Sequence, residues 1–125
     1  MIVAKYEYKT FKTPDEVRKF EKGKLELANL DKGAIGRFTL EPGWRWSKHV
    51  KPIAGTEWCE VAHFNYMISG RMHVKMVDGA EFEVGPGDVV TLEPGHDAWV
   101  VGDDPVVALD WIGAANYAKR TSRPI

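Results

Sequence analysis

The sequence has few of the features that mark several other classes of protein. Its 125 residues contain one cysteine, Cys59, so no internal disulfide can form, which is typical of a reducing compartment. The net charge of −1 provides no excess of positive charge for nucleic acid or for an acidic membrane surface. The opening residues, MIVAKYEYKTFK, are polar and alternating, and no apolar run reaches the length of a membrane span or a signal peptide. We therefore expect a soluble cytoplasmic protein with no nucleic-acid or membrane partner.

Glycine and proline, in contrast, recur at regular positions. Beyond residue 40 they interrupt the chain about every ten residues, a spacing typical of an all-β sandwich or barrel. The breaks fall at Gly70, Asp78–Gly79, Gly85–Pro86–Gly87, Pro94–Gly95 and Gly102–Pro105. With 44% hydrophobic residues, the length suits one domain over residues 1–125.

The local patterns predict strands, with a short helical segment near each end. Thr13–Pro14–Asp15–Glu16 resembles a helix start, with a capping threonine, a proline at the first helical position and early acids. One helical turn is therefore expected up to about Phe20, and another short helix from Ala114. The predicted strands cover residues 2–8, 25–30, 34–40, 63–68, 71–76, 96–100 and 106–112.

Alternation along the strands assigns their faces. If His63 points inward, so do Asn65 and Met67, while Phe64, Tyr66 and Ile68 form the other face. Because that other face is also apolar, it needs cover from a second sheet layer or a second subunit. By the same rule, His96 shares a face with Ala98 and Val100, and an inward His49 would bring Arg45, Ser47 and Lys51 with it.

Three glycine- and histidine-containing segments resemble the cupin family. Gly43 to His49 has the opening spacing of the first cupin motif, and His63 to Gly70 has its closing spacing. Gly87–Asp88 and Gly95 match the second motif, so the resemblance covers about residues 38–112. It extends to a group of small bacterial cupins of unassigned activity, with segments like HVKPIAGTEWCE and PPGHDAW. The resemblance implies an all-β jelly-roll barrel of eight or more strands, commonly dimeric, so we expect a homodimer.

The resemblance also implies a divalent metal, but the ligand pattern departs from the family. His49 matches a ligand position directly, and His63 stands where the family has a glutamate. Lys51 replaces the second histidine of the first motif, and Ala98 replaces the histidine of the second, with His96 as a displaced candidate. A carboxylate could come from Glu57, in an insertion between the two halves of the first motif. The predicted ligands are thus His49, His63, His96 and Glu57, for zinc, iron, nickel or manganese.

Other residues are candidates for the walls of a pocket. Arg45 could hold a carboxylate ligand, although a pair with Glu41 or Asp110 would also explain it. The remaining predicted ligand-binding residues are Asn65, Lys51, Trp58 and Met67. An ammonium at Lys51 would repel a metal ion unless it points to solvent or pairs with Glu57 or Glu60. Cys59 has no evident base partner in sequence and is expected to be a buried, inert thiol.

Three functions remain open at this point. The first is a metal-dependent protein that binds a small organic molecule in the barrel, as an oxygenase, isomerase or hydrolase whose catalytic residues the sequence does not identify. The second is a metal-free binding or sensor domain for a small ligand, in which the histidines only satisfy hydrogen bonds. The third is a structural dimer module.

Overall fold

A computed structural model describes residues 5–119 of the chain. Nine strands and three short helical segments follow one another, and no helix in this part of the chain is long and apolar enough to cross a bilayer. The strands are β1 (Glu16–Phe20), β2 (Gly23–Leu30), β3 (Gly33–Leu40), β4 (His63–Ser69), β5 (Arg71–Met76), β6 (Glu81–Val84), β7 (Val89–Leu92), β8 (His96–Val101) and β9 (Val106–Asp110). The helical segments are α1 (Trp46–His49), α2 (Lys51–Ala54) and a 3-10 helix at Ala114–Asn116.

The nine strands form two antiparallel sheets. The larger sheet has the order β1-β2-β3-β9-β4-β7, and the smaller has the order β6-β5-β8. One cluster of buried side chains draws on both sheets, with Leu25, Phe38 and Met67 from the larger and Met72, Val74 and Ala98 from the smaller. The architecture is therefore all-β, as predicted. Two antiparallel sheets around one core agree with the predicted jelly roll, and strand pairing within residues 5–119 does not join the two sheets at their edges.

The first predicted helix is wrong, because its residues pair as a strand. Glu16–Phe20 forms β1 and runs antiparallel to β2, with Phe20 opposite Gly23. The two-residue turn between these strands places Lys22 at a φ of 62°. The Asp15 carboxylate accepts the backbone N–H of Asn29 across the hairpin at 2.7 Å rather than capping a helix. The strand predicted for residues 2–8 is described only in its second half, because residues 1–4 lie outside the described part. Residues 5–8 form no regular structure.

The faces of β4 follow the predicted alternation. His63, Asn65 and Met67 are at most 5% exposed, whereas Phe64, Tyr66 and Ile68 are 39–45% exposed. Strand β4 lies between β7 and β9, which places Asn65 opposite Asp110 and His63 opposite Leu92. The inner face of β4 therefore points into the space between the two sheets, next to the end of β9.

The segment between β3 and β4 is helical where the pattern predicted strand and turn. Trp46–His49 and Lys51–Ala54 form two single turns, and Gly55 ends the second at a φ of 77°. Helical geometry replaces the two-residue period, so Arg45, Ser47 and Lys51 do not share an inner face with His49. His49 is 4% exposed, while the side chain of Arg45 is 46% exposed.

Candidate metal centre

His63 is held by a buried carboxylate from the neighbouring strand. Its Nδ1 lies 2.6 Å from Oδ2 of Asp110, and Asp110 is fully buried. The other oxygen of Asp110 accepts the backbone N–H of Phe64 at 3.0 Å, which fixes the carboxylate in the β4–β9 pair. A carboxylate accepts hydrogen bonds, so Nδ1 of His63 donates to it, and in the neutral ring Nε2 then carries the lone pair.

His96 is oriented in the same way by a backbone oxygen. Its Nδ1 lies 2.9 Å from the carbonyl oxygen of Glu93, which can only accept, so Nε2 of His96 also keeps a lone pair. Burial, with a smaller contribution from the neighbouring His63, lowers the pKa of His96 to about 4. The imidazole is therefore neutral near pH 7. The two rings lie 5.3 Å apart between centroids, edge to face.

Cys59 completes a group of three donors. Its backbone N–H donates to the carbonyl of His96 at 2.9 Å, which places the cysteine beside the start of β8. Its Sγ lies 3.9 Å from Nε2 of His63. Burial raises the pKa of the Cys59 thiol to about 12. The thiol is buried, as expected, but the expectation that it has no base nearby is wrong, because it faces the free nitrogen of His63.

These three side chains are close enough to share one ion. One donor atom each from Cys59, His63 and His96 lies within 4.8 Å of the other two, and all three residues are buried. Within residues 5–119 no other group of three or more histidine, cysteine or acidic side chains comes together in this way. The donor set fits a transition metal, because each imidazole points a lone pair inward while its outer N–H is held by an oxygen.

The structure brings together only part of the metal site that the sequence predicts. His63 and His96 are in the group, whereas His49 and Glu57 are not. Nδ1 of His49 accepts the backbone N–H of Arg45 at 3.0 Å, and Nε2 lies 3.9 Å from a carboxylate oxygen of Glu21. Glu57 has an 80% exposed side chain that pairs with Lys51 at 3.1 Å, which is the pairing expected to keep Lys51 from a cation.

A small cavity between the sheets adjoins the metal-binding group. Its volume is about 40 Å³, and His63, His96 and Asn65 contribute to its wall. The remaining lining is mainly apolar and aromatic: Phe38, Leu40, Trp44, Trp46, Met72, Leu92, Ala98, Val106, Ala108 and Tyr117. Such a concave apolar site with a few polar groups is the usual form of a small-molecule site.

Of the predicted ligand-binding residues, Asn65 lines this cavity. Met67 is fully buried in the core, and Trp58 is half-buried, with its carbonyl accepting the Thr56 hydroxyl at 2.7 Å. Arg45 lies over the ring of Trp99, 4.2 Å from its centroid, and its Nε is 3.3 Å from a carboxylate oxygen of Asp97. Its ion-pair partner is therefore Asp97. The partner expected from the sequence was Glu41 or Asp110, and the structure shows neither pair.

Sequence reasoning missed two residues of the centre. Cys59 was not assigned to the site, because the contact between residues 59 and 96 joins parts of the chain that are far apart in sequence. Asp110 carried a usable signal. It is the one charged residue in the apolar run 106–112, and a buried carboxylate needs a partner.

Comparison with known proteins adds a family and a set of structural neighbours. The profile of the cupin domain family matches residues 36–112. No curated protein matches the chain.

Solved structures that match the chain include two oxalate decarboxylases. The formate complex of the Lactobacillus farciminis enzyme gives a TM-score of 0.57 at 20% identity, over 78% of this chain and 30% of that one. A mutant of the Bacillus subtilis enzyme gives 0.55 at 28% identity, over 79% and 28%. This chain therefore spans less than a third of the length of these oxalate decarboxylases.

A third similar structure is closer to this chain in length. A protein of unknown function from Acidithiobacillus ferrooxidans gives a TM-score of 0.55 at 18% identity, over 77% of this chain and 85% of that one.

Proposed function

The chain belongs to the cupin family, and we propose that it binds one transition-metal ion through Cys59, His63 and His96 and holds a small organic molecule beside that ion. The observation that carries the proposal is the group of three buried donor atoms within 4.8 Å of one another. Both imidazoles in the group are already oriented by outer hydrogen bonds. Such outer partners are a general feature of histidines that bind metals.

The donor types favour zinc among the metals considered. Thiolate and imidazole are soft and borderline ligands that suit zinc, iron or copper better than manganese. A zinc ion, one thiolate and the nearby carboxylate of Asp110 have charges that sum to zero, which favours burial of all three. Three protein ligands is the number found in catalytic zinc sites, and a zinc ion bound there would polarise a carbonyl or lower the pKa of a bound water.

The residues of the chain itself would bind and shield the organic molecule. The walls of the cavity are largely apolar, while Asn65 and the two histidines supply polar contacts. A volume of about 40 Å³ limits the ligand to a few non-hydrogen atoms, at roughly 10–15 Å³ for each enclosed water. One similar structure, the oxalate decarboxylase from Lactobacillus farciminis, is a complex with formate, a molecule of three non-hydrogen atoms that falls within this limit.

Metal analysis of purified variants tests the proposal. We expect one zinc per chain in the wild type after loading, and a loss of zinc in Cys59→Ser, His63→Gln and His96→Gln. Cobalt loading should give a thiolate-to-cobalt charge-transfer band that Cys59→Ser removes. His49→Gln is the matched control, a buried histidine outside the group, and it should keep its zinc. If His49→Gln loses zinc while Cys59→Ser keeps it, the ligand set inferred from sequence is right and the one proposed here is wrong.

A metal-free binding or sensor domain is the second candidate. Its support is that Trp44 and Asn65, which both line the cavity, each carry a buried polar atom without a hydrogen-bond partner among the described residues, and neither residue belongs to the metal-binding group. Absence of stoichiometric metal after loading with zinc, iron, nickel, copper and manganese, together with a thermal shift on adding a small ligand to metal-free protein, would favour it.

We also propose that the outer face of β4 is covered by a second copy of the chain. Phe64, Tyr66 and Ile68 are each at least 39% exposed there, and the Phe64 ring lies 6.0 Å from that of Trp111. An exposed apolar patch of this kind is typical of an interface. Light scattering should give the mass of a dimer for the wild type and of a monomer for Tyr66→Glu. A monomeric wild type at high concentration would contradict this part of the proposal.

A further inference from the structure

Two buried polar atoms on residues that line the cavity have no hydrogen-bond partner among the described residues. They are Nε1 of Trp44, which can only donate a hydrogen bond, and Oδ1 of Asn65, which can only accept one. Trp44 is 2% exposed and Asn65 is 5% exposed. Both residues line the same cavity as His63 and His96. Buried polar groups without partners are costly and uncommon in folded proteins, so this donor and this acceptor require an explanation.

The two atoms do not satisfy each other, because each is without a hydrogen bond. A molecule that satisfies both must therefore present an acceptor to Trp44 and a donor to Asn65 from within a small volume. A hydroxyl group next to a carboxyl or carbonyl group has this arrangement. We propose that the cavity recognises a short 2-hydroxy acid, whose hydroxyl donates to Asn65 and one of whose carboxylate oxygens accepts from Trp44.

The size of the cavity sets the chain length of this acid. A volume of about 40 Å³ has room for roughly three water-sized groups, such as the hydroxyl, methylene and carboxylate groups of a two-carbon acid, so a longer acid, a sugar or an aromatic acid does not fit. The apolar walls, which include Met72, Leu92 and Ala108, would contact the hydrocarbon part. Glycolate is the 2-hydroxy acid of this size.

The charges around the cavity favour a single carboxylate. Among residues 5–119, none of those that line it is a lysine or an arginine. Arg45 is bound to Asp97, and Lys51 is paired with Glu57. A second carboxylate would thus be buried without a cation, which is unfavourable. The one carboxylate would find its positive charge in the metal ion, and to this extent the inference rests on the proposed function.

Calorimetric titration with glycolate and with acetate tests the proposal, because acetate lacks only the hydroxyl group. Each acid is titrated into zinc-loaded and into zinc-free protein, and the zinc content is measured separately. We expect the zinc-loaded wild type to prefer glycolate by about tenfold, the usual effect of one hydrogen bond to a buried acceptor. Asn65→Leu should abolish that preference, with Asn65→Ala as a substitute if the first variant does not fold. Trp44→Phe should weaken both acids by about tenfold and leave their ratio unchanged.

Trp99→Phe is the control, because Trp99 stacks on His73 outside the cavity and its substitution should change neither affinity. In wild-type protein, glycolate should also shift the indole N–H resonance of Trp44, a measurement that needs no variant.

The outcomes separate this inference from the proposed function. A glycolate preference that persists in Asn65→Leu would show simple chelation of zinc and would overturn the inference, as would equal binding of the two acids. Stoichiometric zinc with no binding of either acid would overturn the inference and leave the metal site intact. Absence of zinc would overturn the metal site. In that case, a preference for glycolate in metal-free protein that depends on Asn65 would support the hydroxy-acid site. The absence of such a preference would overturn the hydroxy-acid inference as well.

Discussion

Replacing Asp110 with asparagine should reverse the direction of the hydrogen bond that orients His63. Oδ1 of Asp110 accepts the backbone N–H groups of Phe64 and Ile112 at 3.0 and 3.3 Å, and an asparagine oxygen can take over both bonds. The asparagine amide nitrogen would then face Nδ1 of His63, where Oδ2 now lies at 2.6 Å. Because that nitrogen donates, Nδ1 must accept and the imidazole proton moves to Nε2. The lone pair that faces Cys59 and His96 is thereby lost.

The size of the effect follows from the role of such partners in other metal sites. Removing the group that orients a metal-binding histidine typically weakens metal affinity by about 10- to 100-fold, which is about 1.4–2.7 kcal/mol. The metal-free protein should also lose about 1 kcal/mol of stability, because a charge-assisted hydrogen bond becomes a neutral one. Unlike a deletion, Asp110→Asn keeps the volume of the side chain, so packing contributes little to either change.

Competition with a chelator of known affinity measures the zinc dissociation constant of each variant. Glu81→Gln is the control, because Glu81 makes the same kind of contact to His73 at 2.9 Å on the surface, away from the donor group. It should leave zinc affinity unchanged. Nitrogen NMR of the imidazole rings reports the tautomer of His63 directly. A zinc affinity within twofold of wild type in Asp110→Asn, with the proton moved to Nε2, would refute the reasoning.

Three further predictions concern stability and reactivity. Burial lowers the pKa of His96 from 6.5 to about 4, so the unfolded state binds a proton between those values that the native state does not. The free energy of unfolding of zinc-free protein should therefore fall by up to about 3 kcal/mol as the pH drops through this window. Urea titrations of His96→Gln should show a shallower fall with pH. An equal fall in both proteins would contradict the assignment of the lowered pKa to His96. Burial raises the pKa of Cys59 to about 12, so a disulfide reagent should modify the zinc-free protein at pH 8 only as fast as the protein opens, and rapid modification would contradict its burial. Gly70→Ala should destabilise by more than about 1 kcal/mol in thermal unfolding, because Gly70 has a φ of 77° and a Cβ there would collide with the carbonyl of Pro105. Gly79→Ala, with a φ of 96° and open space at the Cβ, should cost less, and equal losses would exclude the collision as the cause.

The parts of the fold that depend on local pattern could be predicted from the sequence. The two-residue period of β4 predicted correctly which residues face the core, namely His63, Asn65 and Met67, and which face is exposed. The regular glycine turns gave the all-β class, and the motif spacings gave the cupin resemblance over about the residues that the family profile matches. Each of these signals lies within a short stretch of chain or in turn residues with specific backbone needs.

The errors arose where distant contacts overrule local preference. Thr13–Pro14–Asp15–Glu16 has the residues of a helix start, but pairing with β2 makes Glu16–Phe20 a strand. His49 follows the motif, yet the two helical turns before β4 aim it toward Arg45 and Glu21. Cys59 joins His63 and His96 through a backbone bridge to β8 that no local pattern encodes. The identity of the third donor was therefore beyond what a single sequence shows.

X-ray absorption spectroscopy of the zinc-loaded protein tests the central claim most directly. The account predicts one sulfur at about 2.3 Å and two imidazole nitrogens at about 2.0–2.1 Å from the zinc, with the sulfur signal lost in Cys59→Ser. A first shell that contains only nitrogen and oxygen in the wild type would contradict it.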